Sequence, residues 1–288
     1  MSGQPPIPID VNQIDWNEVW KVKKQRMLST PHYLDSEAFW SRKKSVDRLY
    51  STKSGQSLVR VSTQLEALPI YPGTRVLDIG SGPGTLAIPL AKAGCEVTAV
   101  EPSEAMVALL EDNRAYEKAG EIRIIRSRWE DIHASELAPP YDLVIASFSL
   151  SMLDIWENVK KMNDLAGGSV YLFWFLTPPV WARVMHDLWE RVHGSIFHFG
   201  PTADCLYQVL LQNNIYANLV PEPSPHTHIY STIDDAVEDF MNRMNCIGKR
   251  EESVIRKYLS MHLSSNQSGY HLQGKSWNAR IWWETRRE

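Results

Sequence analysis

One stretch constrains the fold of this chain more than any other: Val76-Leu77-Asp78-Ile79-Gly80-Ser81-Gly82-Pro83-Gly84. An apolar run carries an acid near its end and then breaks into glycines at every second position. A helical pattern follows at once, with Leu86, Leu90 and Ala91, and stops at Gly94. The order is strand, tight turn, helix, the opening of a βαβ unit. Glycine is required where backbone must turn with φ > 0 or lie flat against a ligand, and the turn aims a helix N-terminus at whatever the loop holds. The spacing differs from the dinucleotide turn G-x-G-x-x-G: the third glycine comes one residue early, and position 85 is Thr. Asp78 would repel a pyrophosphate. A ligand that offers the loop a cationic group fits it better.

Asp78 to Gly84 resembles motif I of the class I S-adenosylmethionine (SAM)-dependent methyltransferases. SAM has an ammonium on its methionine part and no phosphate. Cys95 to Glu101 reads as a second strand ending in an acid, and Glu101 lies 21 residues after Gly80. A carboxylate there can accept both hydroxyls of a ribose. Pro102-Ser103-Glu104-Ala105-Met106 is similar to the family's strand-to-helix turn. The resemblance covers residues 60–176 and implies SAM as cofactor, held by Asp78, Gly80, Ser81, Gly82, Gly84, Glu101, Pro102 and Met106. After a third short strand, Ile122 to Ile125, the family places its adenine contacts. There Trp129 is the stacking candidate, and Glu130 or Asp131 the acceptor for the exocyclic amine; the alternative is that Trp129 is core and the acids open a helix. Tyr141 to Ser147 is continuous and apolar, as buried parallel strands are. It resembles motif IV, which puts Ser147, Phe148 and Ser149 at the reaction centre.

Strands alternating with helices imply a doubly wound, mostly parallel α/β sheet, here of seven strands, with ligands at the strands' carboxyl ends. The expected organisation is an N-terminal helical cap over 1–59 and a SAM-binding domain over 60–288, with cap insertions at about 177–202 and 231–275. A helix is predicted over 36–50. Segment 218–230 reads as a strand that Pro221, Pro223 and Pro225 turn partly into loop; 264–269 reads as a polar turn and 277–286 as the last strand. The segments outside the core are rich in aromatics, and aromatic-lined concave sites hold small ligands. Tyr33 and Trp40 are the residues expected to reach such a pocket.

The remaining chemistry is mostly exclusion. A net charge of −4 gives no basic face for nucleic acid, and the basic clusters at 21–26 and 42–48 read as solvated helix faces. The three cysteines lack zinc or disulfide spacing, which favours a reducing, cytoplasmic setting. The N-terminus has no leader pattern, and no apolar run is long enough to span a membrane. Composition carries no signal of oligomeric state. His186, His193, His198, His226 and His228 are candidate bases, none of them assigned. His226 and His228 share a strand face, but no acid joins them, and no metal is expected. The reading is a SAM-dependent methyltransferase acting by direct displacement on a small-molecule acceptor. Its alternatives are a protein or tRNA acceptor, or a non-catalytic SAM- or nucleotide-binding module. The Asn/Asp-Pro-Pro-Tyr signature of enzymes that methylate amino groups of nucleic acids and proteins does not follow the fourth strand, where Ser147-Phe148-Ser149-Leu150 stands.

Overall fold

The computed structural model describes residues 13–42, 45 and 55–285, with side chains for all of these except 55–58 and 225–228. The strands are β1 (Arg75–Ile79), β2 (Glu96–Val100), β3 (Ile122–Ile125), β4 (Tyr141–Ser147), β5 (Ala166–Phe175), β6 (Asn218–Tyr230), β7 (Ser264–Asn266) and β8 (Gly269–Glu284). Seven of them form one sheet in the order β3-β2-β1-β4-β5-β8-β6, and the short β7 adds a hairpin onto β8. The first five pair in parallel. β8 runs antiparallel to both β5 and β6.

Alternation along β1 sends Leu77 and Ile79 to one face and Val76 to the other. The first face packs on α1 (Trp16–Leu28), α6 (Ile155–Leu165) and α8 (Ala203–Gln212). The second packs on α3 (Gly55–Ala67), α4 (Ala87–Lys92) and α5 (Glu104–Tyr116). α1 belongs to this core: Trp20 is fully buried, and its indole N–H donates to the carbonyl of Met152 at 3.0 Å. The helix starts where the Asp15 carboxylate accepts the N–H of Glu18, satisfying a donor that the first turn leaves free.

A second core lies beyond the carboxyl edge. Antiparallel pairing of β8 with β5 ends at Asn278 opposite Phe175, yet β8 reaches back to Gly269 and β6 follows it to Tyr230 opposite Tyr270. The β6–β8 ribbon therefore runs on for some eight residues past β5, roughly 25 Å at strand rise. On it sit α7 (Val180–His193), α9 (Ile233–Arg243) and α10 (Lys249–His262), packed through Leu188, Trp189, Phe240, Ile255, Leu259 and Tyr230. Tyr33 packs against the same cluster.

Several local expectations change. The helix read over 36–50 is interrupted: α2 (Ser36–Trp40) ends in a turn at 41–42, Ser45 is helical again, and residues 43, 44 and 46–50 lie outside the described ones. The last strand starts eight residues earlier than read, and 264–266 pairs with 269–271 where a plain polar turn was expected. β6 is unbroken over 13 residues despite its prolines. Pro221, Pro223 and Pro225 fall at every second place on the outermost strand. Their missing N–H groups thus all address the open side, and the ladder to β8 keeps its donors.

Candidate active site

The carboxyl ends of β1, β2 and β4 open into a cavity of about 490 Å³. Gly80 and Gly82 line it, whereas Gly84 does not and packs toward Ile88 and Leu110. Gly80 and Gly84 have φ of +69° and +84°, which L side chains adopt at a cost. A Cβ on Gly80 would stand 2.3 Å from the Cβ of Ser149, so the close approach also excludes a side chain. Ser149 is pinned there, its hydroxyl donating to the carbonyl of Ile79 at 2.5 Å. Gly82 instead leaves open space where its Cβ would be, and its N–H donates to Glu101 Oε2 at 2.9 Å.

Asp78 is 2 % exposed, and its Oδ2 has no hydrogen-bond partner. Burial first, and the negative Glu101 next, push its carboxyl up to about 7, against one backbone N–H from Ala87. Glu101, also buried, accepts from Ser103 N–H at 2.9 Å through its other oxygen. Its carboxyl likewise lies above the ordinary value because of burial, countered by the Ser103 and Gly82 N–H groups. Two neighbouring buried carboxylates without a cation are an unfinished arrangement. A ligand ammonium at Asp78 completes it, and lone pairs remain on Glu101 for hydroxyls. By that test the residues present fit SAM.

The other predicted contacts distribute as follows. Ser81, Pro102, Met106, Trp129, Glu130, Ser147 and Phe148 all line this cavity; Asp131 does not. Trp129 is 3 % exposed, its indole N–H donating to Asn158 O at 3.4 Å and the Lys161 ammonium 4.2 Å from its ring centre. It is therefore core on one side and cavity wall on the other, which joins the two alternatives. Glu130 lies 3.8 Å from Arg128, which also reaches Glu37 at 3.4 Å. The Ser147 hydroxyl accepts from the Gln64 amide at 3.1 Å. Phe148 takes φ +56°, strained for an aromatic residue, and its ring meets Phe175 at 4.9 Å and the Arg60 guanidinium at 5.2 Å.

A second cavity of about 410 Å³ adjoins the first, and Lys24, Trp40, Phe148, Phe175 and Trp181 line both. Tyr33, Phe39, Trp174, Phe197 and Phe199 complete its aromatic wall. At one side Arg243 donates to Asp239 at 3.0 Å, with its guanidinium 5.5 Å from the Phe39 ring and 5.2 Å from Trp181. Tyr33 and Trp40 both line this cavity, while Trp20 serves the main core and Trp189 the second.

Sequence reasoning missed Lys24, Arg60 and Arg243. Lys24 sits among Lys21 and Lys23 and was counted with a solvated face. The available signal was that Lys24 follows Trp20 by four residues and so shares its helix face. The histidines divide differently. His186 Nδ1 meets Phe197 O at 3.1 Å and His193 Nε2 meets Met244 O at 2.7 Å, so both tie the second core together, and His198 is exposed. His226 and His228 lie in β6, but their side chains fall outside the described residues. Among the described residues no group of three His, Cys, Asp or Glu side chains is placed to hold a metal. No described helix is long and apolar enough to cross a membrane.

Comparison with known proteins agrees with this geometry. Residues 76–166 match the family profile described as a methyltransferase domain. An uncharacterized protein of Haemophilus influenzae is 25 % identical over 268 residues, spanning 92 % of this chain and 95 % of its own length. The release factor glutamine methyltransferase of Shewanella oneidensis is 28 % identical over 136 residues, 46 % of each chain. Among solved structures, a putative methyltransferase of Bacillus halodurans superposes with a TM-score of 0.54 at 12 % identity, over 79 % of this chain and 99 % of that one.

Proposed function

We propose, from the premise that this chain belongs to the class I SAM-dependent methyltransferases, that it methylates a small molecule held in the aromatic cavity. The observation that carries this reading is the shared wall: Lys24, Trp40, Phe148, Phe175 and Trp181 border both the SAM cavity and the aromatic one. SAM, when bound, supplies a methyl group on a sulfonium, which an acceptor atom takes by direct displacement; the protein's task is binding and alignment.

The chain's residues divide that task. Asp78 accepts the methionine ammonium, and Glu101 accepts the ribose hydroxyls while its own position is fixed by the N–H groups of Gly82 and Ser103. Trp129 and Glu130 border the adenine end. Phe148 stands at the junction of the two cavities, held by its unusual backbone and by Phe175, and it orients the acceptor toward the donor side. The second core closes over the strand ends and excludes water from the reacting pair.

A recessed aromatic chamber favours a compact acceptor over an exposed protein or RNA segment, and so does the Ser147-Phe148-Ser149-Leu150 sequence after β4. The test is to incubate the protein with methyl-labelled SAM and a cell extract, then fractionate by size. Label in the small-molecule fraction, with S-adenosylhomocysteine formed in step, is the expected result. Label confined to protein or RNA would refute the small acceptor. SAM binding without any turnover would point to a binding module.

A further inference from the structure

Lys24 is the one described charged side chain buried at the junction of the two cavities that the donor-site reading leaves unused. Its side chain is 6 % exposed, borders both cavities, and makes no hydrogen bond or ion pair with any described residue. The residue is buried as a whole, but its ammonium nitrogen is not fully enclosed; it opens onto the cavity, where an anionic group would make up for its reduced solvation. α1 holds it in place: Trp20, one turn earlier, is locked in the main core by its bond to Met152 O.

We infer that Lys24 pairs, as an ammonium, with an acidic oxygen of the methyl acceptor, so that the acceptor is an aromatic-bodied molecule presenting a phenol-type hydroxyl or a carboxylate beside the donor cavity. This rests on the methyltransferase reading and names the substrate class for it. The proton balance differs between the two oxygen sources. A carboxylate arrives ionised and meets Lys24 already charged. A hydroxyl passes its proton to neutral Nζ, leaving an oxyanion and an ammonium in contact, and no other reactant is needed.

The charges around Lys24 suit this exchange. Asp35, at the start of α2, and Glu130, after β3, hold the proton on Nζ, while burial outweighs both and pulls the ammonium down to about 8. Arg60 faces the donor cavity from α3 and favours an anionic acceptor; Arg243 faces the aromatic cavity from α9 but is paired there with Asp239, which lines the same cavity. A lysine balanced in this way is mostly an ammonium at neutral pH, ready to meet a carboxylate, and its minor neutral form can take a hydroxyl proton and keep it once the oxyanion lies alongside. The rings of the second cavity supply the faces on which an aromatic body packs.

The probes are 4-nitrophenol and 4-nitrobenzoate, each compared with its methyl-capped form, 4-nitroanisole and methyl 4-nitrobenzoate. Nitroaromatics quench tryptophan emission, so binding beside Trp40 and Trp181 is read directly, and the visible nitrophenolate band reports ionisation. The full-length protein should prefer at least one acidic probe over its capped form by about tenfold or more. A preference for the phenol, with its band appearing below the probe's own pKa, identifies a hydroxyl acceptor; a preference for the benzoate identifies a carboxylate. Lys24→Met and Lys24→Gln, shown to be folded by their melting curves, should lose the preference, and Lys24→Arg should keep it for the carboxylate. No preference for either acid in the unaltered protein would overturn the proposal. So would a preference surviving in a folded Lys24→Met or Lys24→Gln, which would move the anion to Arg243 or Arg60. SAM titrated calorimetrically into the same samples separates the two claims: loss of SAM binding with the acid preference intact removes the donor-site reading and leaves Lys24 standing.

Discussion

Replacing Asp78 by Asn should stabilise the protein on its own and cost it the cofactor. Asp78 is 2 % exposed with one oxygen unpartnered, and its carboxyl is pushed up to about 7. The folded-state value is above the unfolded one. The group's contribution to stability is therefore complete below about pH 4 and is lost as the pH rises through about 7. A rise from about 4 to about 7 corresponds to ~4 kcal/mol. The unliganded protein should lose stability of that order between these limits, and Asp78→Asn should lack this part of the slope and melt higher at pH 8. Cofactor binding runs the other way. A ligand ammonium needs the ionised carboxylate, so SAM affinity should fall about tenfold for each pH unit below about 7, to roughly a hundredth at pH 5. Calorimetry in buffers of different ionisation enthalpy should show close to one proton released per SAM bound near pH 6. At pH 8, Asp78→Asn should weaken SAM by about tenfold or more, the worth of a charge-assisted hydrogen bond. An affinity that stays constant from pH 5.5 to 8, or an Asn variant that binds SAM as well as the parent at pH 8, would refute the assignment of the ammonium to this carboxylate.

Glu101→Ala should leave the fold intact and weaken SAM by about tenfold or more, since its oxygens are the acceptors fixed by Gly82 and Ser103; titration calorimetry checks it. Gly80→Ala should lower the melting temperature and impair SAM binding together. The left-handed backbone alone costs ~1–2 kcal/mol, and the new Cβ would collide with a Ser149 held by Ile79. Trp20→Ala should destabilise the whole protein by ~3–5 kcal/mol, measured by denaturant unfolding, because α1 is part of the main core.

The donor side was legible because its constraints are local. Gly80, Gly82 and Gly84 are dictated by the backbone path of a few residues, and Asp78 and Glu101 mark strand ends that parallel pairing sets side by side. The acceptor side was not, because it is assembled from parts distant in sequence: α2, α7, the 197–202 loop and α9 are brought into contact by the tertiary fold, as Arg243 meeting both Phe39 and Trp181 shows. Aromatic enrichment drew attention to Tyr33 and Trp40 but could not separate them from Trp20 and Trp189, which fill cores. Lys24 was hidden by its neighbours, since a lysine-rich stretch reads as solvated until its partner Trp20 is known to be buried. The prolines of β6 misled because the rule against proline in strands depends on which side of the strand has a neighbour.

Those prolines also decide what can approach the sheet from outside. A free strand edge normally offers alternating donors and acceptors, and another chain can zip onto it. On β6 the outward donors at 221, 223 and 225 are gone, so an incoming strand would meet carbonyls without the N–H groups between them. The longest described strand pair, which carries the second core, is thereby blocked over the middle of its outer edge against extension by a further strand. Restoring donors with Pro221→Thr and Pro223→Thr would leave the β8 ladder unchanged, and would turn a guarded border into a place where subunits could join.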